Sequence, residues 1–99
     1  MDDKTLNMLR AIGHPKGVEI FLMLLRTDSL TPTVIANRME ISLPALSYHL
    51  NKMCKAGVLI SVPVSRYRSY LVNVDALKTL KEFFEKVEED LRKKGNLNG

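Results

Sequence analysis

The 99-residue sequence predicts a mainly α-helical fold with one small β-hairpin, in the order α-α-α-α-β-β-α. The first observation is that apolar residues recur at helical spacing before Gly57 and after Asn73, whereas the segment between them is rich in β-branched and aromatic residues. The second is that helix-breaking and helix-capping residues divide the part before Gly57 into four segments. At this length, with 45% hydrophobic residues, we expect residues 1–99 to form one domain.

Gly13-His14-Pro15 separates the first two predicted helices. The first helix covers about residues 3–12 and ends there because proline disfavours a helical conformation at the residue before it. The second runs from about Lys16 to Arg26 and is apolar on most of its sides. Such a helix is typical of the buried centre of a small bundle.

Residues 31–57 predict two helices joined by a tight connection. Thr31-Pro32 supplies an N-cap and a proline at the first helical position, which begin a short helix. Ser42 is a favourable N-cap for a longer helix, 42–56, and Gly57 ends that helix in the left-handed conformation.

Residues 58–73 predict a β-hairpin, with strands over 59–64 and 67–74 and a turn near Ser65-Arg66. Pro63 cannot donate a backbone hydrogen bond, so it places the first strand at an edge or at an irregularity.

The last predicted helix covers residues 73–93 and is followed by a tail, 95–99, that we expect to fray. Its apolar residues recur at spacings of 3, 4, 3 and 4, as in the seam of a coiled coil. This seam packs either on the chain's own bundle or on a second copy. It consists of Leu77, Leu80, Phe84, Val87 and Leu91.

The net charge of +4 lies entirely between residues 42 and 70. Residues 1–41 carry five basic and five acidic side chains, and residues 71–99 carry six of each. An acid-free basic stretch on adjacent elements is the electrostatic signature of a nucleic-acid-binding surface. The alternative is a solvated surface that lacks acids by chance. The four basic residues are Lys52, Lys55, Arg66 and Arg68.

Several classes of protein are not expected. The longest apolar run, 20–25, is too short to cross a membrane, and the N-terminus resembles no signal peptide. A single cysteine excludes an internal disulfide and fits a reducing compartment, so we expect a cytoplasmic protein. No phosphate-binding glycine loop or catalytic set is present, so we expect neither an enzyme nor a cofactor.

Four motifs, in order, resemble the arsenic-repressor-type (ArsR) family of prokaryotic transcriptional regulators over about residues 5–92. The first is similar to that family's L-x-A-L-x-H-P opening, and the second to its recognition helix with a Ser-x-His-Leu end. The third is similar to the E-A-G-L-V that leads into the wing, and the fourth to the basic-aromatic wing itself. They are Leu9–Pro15, Ile41–Leu50, Lys55–Leu59 and Arg66–Leu71.

This resemblance implies a winged helix-turn-helix that binds double-stranded DNA, with helix 42–56 in the major groove and the wing, 64–70, on the backbone or minor groove. It also implies a homodimer through the first and last helices, 1–12 and 73–93. The expected DNA-binding residues are Ser42, Pro44, Ala45, Ser47, Tyr48, His49, Lys52, Arg66, Tyr67, Arg68 and Ser69. The expected interface residues are Leu6 and Leu9 together with the seam of the last helix.

The sequence departs from the family in helix 42–56 and at the metal-ligand positions, and Tyr48 stands where the family often has an arginine. Leu43-Pro44-Ala45 stands where the family has small polar residues or glutamine, which favours thymine-methyl contacts over hydrogen bonds to bases. The same apolar segment supports an alternative, a protein-interaction module that docks a partner there. The family's paired metal-binding cysteines are missing at 33–36 and no histidine follows His49, so no metal site is expected. Cys54 is either a small hydrophobic side chain or a redox-sensitive thiol, whose pKa Lys52 and Lys55 would lower.

Overall fold

The computed structural model describes residues 2–27 and 30–95, and it confirms the predicted order of five helices and one antiparallel hairpin. Of the predicted tail, 95–99, residues 96–99 lie outside the described residues. The elements are α1 Asp3–Gly13, α2 Pro15–Leu25, α3 Pro32–Met39, α4 Leu43–Lys55, β1 Leu59–Val64, β2 Tyr67–Val72 and α5 Val74–Lys93.

One residue, His14, separates α1 from α2. Its backbone is extended and its Nδ1 accepts a hydrogen bond from the Lys16 backbone N–H at 3.1 Å, which caps α2. Gly17, in the first turn of α2, lies against the backbone carbonyl of Ala11. A side chain at this position would overlap that carbonyl, so the glycine permits the close approach of α2 to α1.

The core lies between the helices and the base of the hairpin. α2 contributes Ile20, Phe21 and Leu24 to it and packs against α1, α4 and β2. Its other side is open, because Val18, Leu22 and Leu25 are exposed by 37%, 41% and 48%. The prediction that α2 forms the buried centre of the bundle is therefore wrong, since only one face of this helix is buried. The most fully buried large side chains are Met8, Ile20, Ile35, Leu46, Leu50, Met53 and Val58.

Local capping signals position α4. Glu40 adopts a left-handed conformation, with φ of 55°, and this ends α3 within one residue. The Ser42 hydroxyl accepts a hydrogen bond from the Ala45 N–H at 3.3 Å, and Gly57, with φ of 84°, turns the chain into β1. The caps at Ser42 and Gly57 are the ones that the sequence predicts, whereas the left-handed conformation of Glu40 was not predicted.

The hairpin pairs Leu59 with Val72 and Val64 with Tyr67, so the turn consists of Ser65 and Arg66. Strand β2 ends at Val72, two residues earlier than predicted, because Asn73 caps α5. A backbone bridge from Leu30 to Tyr70, which the sequence did not predict, adds a short third segment beside β2.

α5 packs against α1 through its first two turns, where Ala76 and Leu80 enter the core. Its 20 residues span about 30 Å at the helical rise per residue. From residue 84 to Lys93 every residue of α5 is exposed, so this half of the helix extends beyond the rest of the fold. Among the helices described, none combines the length and the apolar character needed to cross a membrane.

Candidate nucleic-acid interface

α4 has one buried face and one exposed face. Leu46, Leu50 and Met53 are buried, because residues three or four apart lie on the same side of a helix. The exposed face carries most of the side chains predicted to meet DNA on this helix. These exposed residues are Ser42, Pro44, Ala45, Ser47, Tyr48 and Lys52.

Tyr48, in the middle of α4, lies close to the side chains of His49 and Lys52. The Tyr48 ring, 62% exposed, lies 5.3 Å from the His49 ring in an edge-on arrangement. The Nζ atom of Lys52 lies 6.0 Å from the centroid of the Tyr48 ring, at the limit of a cation–π contact. Tyr48 therefore presents an exposed aromatic surface beside a histidine ring and a cation.

His49 is half-buried and connects α4 to the start of α2. Its ring centroid lies 4.8 Å from that of His14. Burial lowers the pKa of His49 below its ordinary value of 6.5, and the positive charges of His14, Lys52 and Lys16 lower that pKa further. At neutral pH His49 is therefore neutral, and it can offer a hydrogen bond but not a charge.

The tip of the hairpin exposes Arg66, Tyr67 and Arg68, as predicted for a wing. The Nε of Arg68 donates a hydrogen bond to the Ser61 hydroxyl at 2.6 Å, which holds the guanidinium beside β1. Ser69, in contrast, is 5% exposed, and this corrects the prediction that it contacts DNA. Its side chain therefore has almost no accessible surface to offer to a phosphate.

The predicted dimer seam divides into two parts. Leu6, Leu9 and Leu77 are half-buried, and Leu80 is 9% exposed within the core of its own chain. Leu80 therefore offers little apolar area to a partner, which corrects its assignment to an interface. Phe84, Val87 and Leu91 are exposed by 56%, 40% and 39%. These three residues, the exposed seam, form an apolar strip on the extended half of α5.

The environment of Cys54 corrects one sequence-based expectation. The thiol is half-buried, and this burial raises its pKa although the charge of Arg68 opposes the change. The lysines next to it in sequence do not reverse this effect. Because the thiolate is the reactive form, a raised pKa favours the interpretation of Cys54 as a small hydrophobic side chain over that of a redox-sensitive thiol.

A groove between α1 and the last turns of α4 joins residues that sequence reasoning did not combine. Its volume is about 350 Å³, and its lining includes Arg10 beside Lys52 and Lys55. Arg10 lies in the charge-balanced part of the sequence, so the charge pattern did not single it out. Across residues 2–27 and 30–95, no three or more His, Cys, Asp or Glu side chains are grouped so that they could hold a metal ion.

The sequence profile of a family described as a helix-turn-helix domain matches residues 12–62. A search of curated protein sequences finds no match. Among solved structures, an ArsR-like transcriptional regulator from Rhodococcus sp. RHA1 is 22% identical, with a TM-score of 0.83 over 92% of this chain and 85% of that one. HlyU from Vibrio cholerae is 23% identical, with a TM-score of 0.70 over 88% and 97% of the two chains.

A third similar structure is the homodimeric winged helix-turn-helix DNA-binding domain of Mb0332 from Mycobacterium bovis, described as a possible ArsR-family transcriptional regulator. It is 16% identical, with a TM-score of 0.71 over 90% of this chain and 81% of that one. At these identities the likeness establishes a shared fold, which is the winged helix-turn-helix.

Proposed function

This chain belongs to the helix-turn-helix domain family, and from that premise we propose that it is a homodimeric repressor that binds specific sequences of double-stranded DNA. The family and the fold are those of DNA-binding transcriptional regulators rather than of enzymes, and the resemblance to ArsR-type regulators is confirmed at this level. The observation that carries the proposal is the surface formed by the exposed face of α4 and the hairpin tip, which contains basic residues and no acid.

In the proposed complex, α4 enters the major groove, which has the width to admit one helix. Its exposed N-terminal residues face base edges and flanking phosphates, while Tyr48 and Lys52 lie further along the same face. Lys52 is the phosphate contact in this arrangement, because a flexible ammonium is suited to the backbone rather than to a defined base edge.

Sequence preference in this proposal comes from apolar as well as polar contacts. Leu43 is 48% exposed at the first turn of α4, next to Pro44 and Ala45. Such side chains recognise the methyl group of thymine by contact and offer no hydrogen bonds to other bases. We therefore expect a preference for thymine at the positions that this turn meets.

The wing supplies the second contact. Arg66 and Arg68 lie at or beside a two-residue turn, with the exposed Tyr67 between them. Arginine on a narrow hairpin is suited to phosphates and to a narrow minor groove, where the negative potential is strongest. We place the wing on the backbone or minor groove next to the major groove that α4 enters.

A homodimer is supported by the exposed seam on α5 and by the homodimeric Mb0332 domain of the same fold. A two-fold axis places the same surface on both copies, so the apolar strip covers itself and two reading helices meet one DNA duplex. A compact dimer bound across a promoter excludes other proteins from it. We therefore propose repression, in the cytoplasm, where such a protein meets chromosomal DNA.

The test is selection of bound sequences from random DNA, followed by measurement of affinity across salt concentrations. If Lys52, Arg66 and Arg68 of both copies contact phosphates, the complex has six such contacts. The logarithm of the association constant should then fall with the logarithm of the salt concentration with a slope of about −5. The double variant Arg66→Ala/Arg68→Ala removes four of these contacts, so the slope should flatten by about 3.6. A palindromic selected site would support the dimer.

The matched control is Arg92→Ala/Lys93→Ala, which removes two positive charges that already pair with Glu88 and Glu89 on α5. This control should retain the wild-type slope. An affinity that hardly changes with salt would contradict DNA binding. It would favour the alternative, in which the apolar Leu43-Pro44-Ala45 segment docks a protein partner.

A further inference from the structure

The groove between α1 and α4 extends from the C-terminal end of the helix-turn-helix onto α1, away from the wing. Its walls are Asn7 and Arg10 from α1 and Lys52, Lys55 and Ala56 from the end of α4. A second cavity, of about 340 Å³, adjoins it along α4 and is lined by Tyr48, Asn51, Lys52 and Lys55. Because Lys52 and Lys55 line both cavities, the two form one continuous surface from Tyr48 to Arg10.

The electrostatics of the groove favour an anion. Three of its five lining residues are cationic and none is acidic. Within residues 2–27 and 30–95, no carboxylate lies within ion-pair distance of Arg10, Lys52 or Lys55. Like charges held together without an acid repel one another, so a bound anion is stabilised by all three.

The donor set fits a phosphate. An arginine guanidinium presents planar paired N–H groups that match two oxygens of one phosphate, and the two lysines add charge without a fixed geometry. The Asn7 amide lies one turn before Arg10 on the same side of α1 and adds a neutral donor. Both α1 residues are exposed, so a ligand as large as a nucleic-acid strand reaches them.

We propose that this groove binds a phosphate of the DNA backbone, with Arg10 as a phosphate-binding residue and Asn7 as its neighbouring donor. This inference rests on the proposed function and extends the DNA contact from the helix-turn-helix onto α1. Lys52 joins the two parts, because it lies on the exposed face of α4 and in the groove. In this arrangement, the sugar-phosphate backbone at the edge of the major groove runs along the side of α4 toward α1.

The experiment measures the dissociation constant of the full chain for a selected duplex between 50 and 200 mM salt, for the wild type and for Arg10→Gln. Each phosphate contact contributes about 0.9 to the log–log slope, so losing one per protomer flattens the slope of a dimer by about 1.8. The ratio of the variant's dissociation constant to that of the wild type should therefore fall about tenfold across this range. Asn7→Ala, which removes no charge, should weaken binding and leave the slope unchanged.

The control is Arg26→Gln, an exposed arginine in another cavity, where Glu19 is among the lining residues. It should retain the wild-type slope and affinity. A wild-type slope for Arg10→Gln, with unchanged thermal unfolding, would overturn this inference and leave the proposed function standing. A wild-type protein that binds no DNA at all would overturn both.

Discussion

Phe84 provides a quantitative test of the dimer, because it is the largest side chain of the exposed seam. In the single chain it is 56% exposed. Full burial of a phenylalanine side chain is worth about 2.5 kcal/mol, so covering the exposed 56% is worth about 1.4 kcal/mol. A two-fold interface buries two copies, which brings the contribution to about 3 kcal/mol per dimer.

We therefore expect Phe84→Ala to raise the dimer dissociation constant about 100-fold. Sedimentation equilibrium across protein concentrations measures this change directly. The unfolding temperature of the monomer, measured at protein concentrations well below the dimer dissociation constant, should change little. The reason is that Phe84 contributes little to the core of its own chain. DNA affinity at low protein concentration should fall with the dimer population.

The matched control is Glu82→Ala, because at 100° per residue Glu82 lies on the side of α5 opposite to the seam. This variant should dimerise as the wild type does. A change of less than threefold for Phe84→Ala, or an equal change for both variants, would refute the assignment of the interface to this strip.

Three further predictions concern stability. Gly17→Ala should lower the free energy of unfolding by about 1–3 kcal/mol in urea titrations, because the added methyl group would overlap the Ala11 carbonyl; Gly13→Ala, where the space is open, is the control. Asn73→Ala should cost about 1–2 kcal/mol in the same assay, because the Asn73 amide accepts the N–H of Asp75 and donates to the Gly57 carbonyl at 2.9 Å. Acid should also destabilise the protein through His49: its pKa is lowered in the folded state, so below its ordinary value of 6.5 the unfolded chain binds the proton more readily. The contribution of His49 to the free energy of unfolding should be complete above pH 6.5, fall as the pH drops toward the pKa of the folded state, and then level off. In a plot of the urea midpoint of unfolding against pH, His49→Gln should reduce the decrease over this range. An unchanged plot would contradict the assignment to His49.

The parts of the fold that sequence reasoning predicted are those with local signals. Ser42 and Asn73 begin helices through side-chain hydrogen bonds to backbone groups two or three residues away, and Gly57 adopts a backbone conformation that other residues avoid. The hairpin follows from residue types within a window of 16 residues. Each of these features depends on neighbours along the chain, so the sequence displays it directly.

The features that were missed depend on residues distant in sequence. Nothing near Leu30 indicates a backbone bridge to Tyr70, which lies 40 positions later. The burial of Ser69 depends on tertiary contacts, which the alternation of residues along β2 does not reveal. Arg10 joins the basic surface only because α1 packs along α4.

By itself, the sequence determined the order of elements, their caps and the concentration of positive charge between residues 42 and 70, because helix periodicity, capping and charge are properties of short segments. The tertiary structure decided which of these residues share a surface. It divided the seam of α5 into a buried start and an exposed end, buried Ser69 and placed Arg10 beside Lys52. Those outcomes depend on how helices pack against one another in a shared core. This packing joins apolar faces that are distant in sequence, so no short segment specifies it.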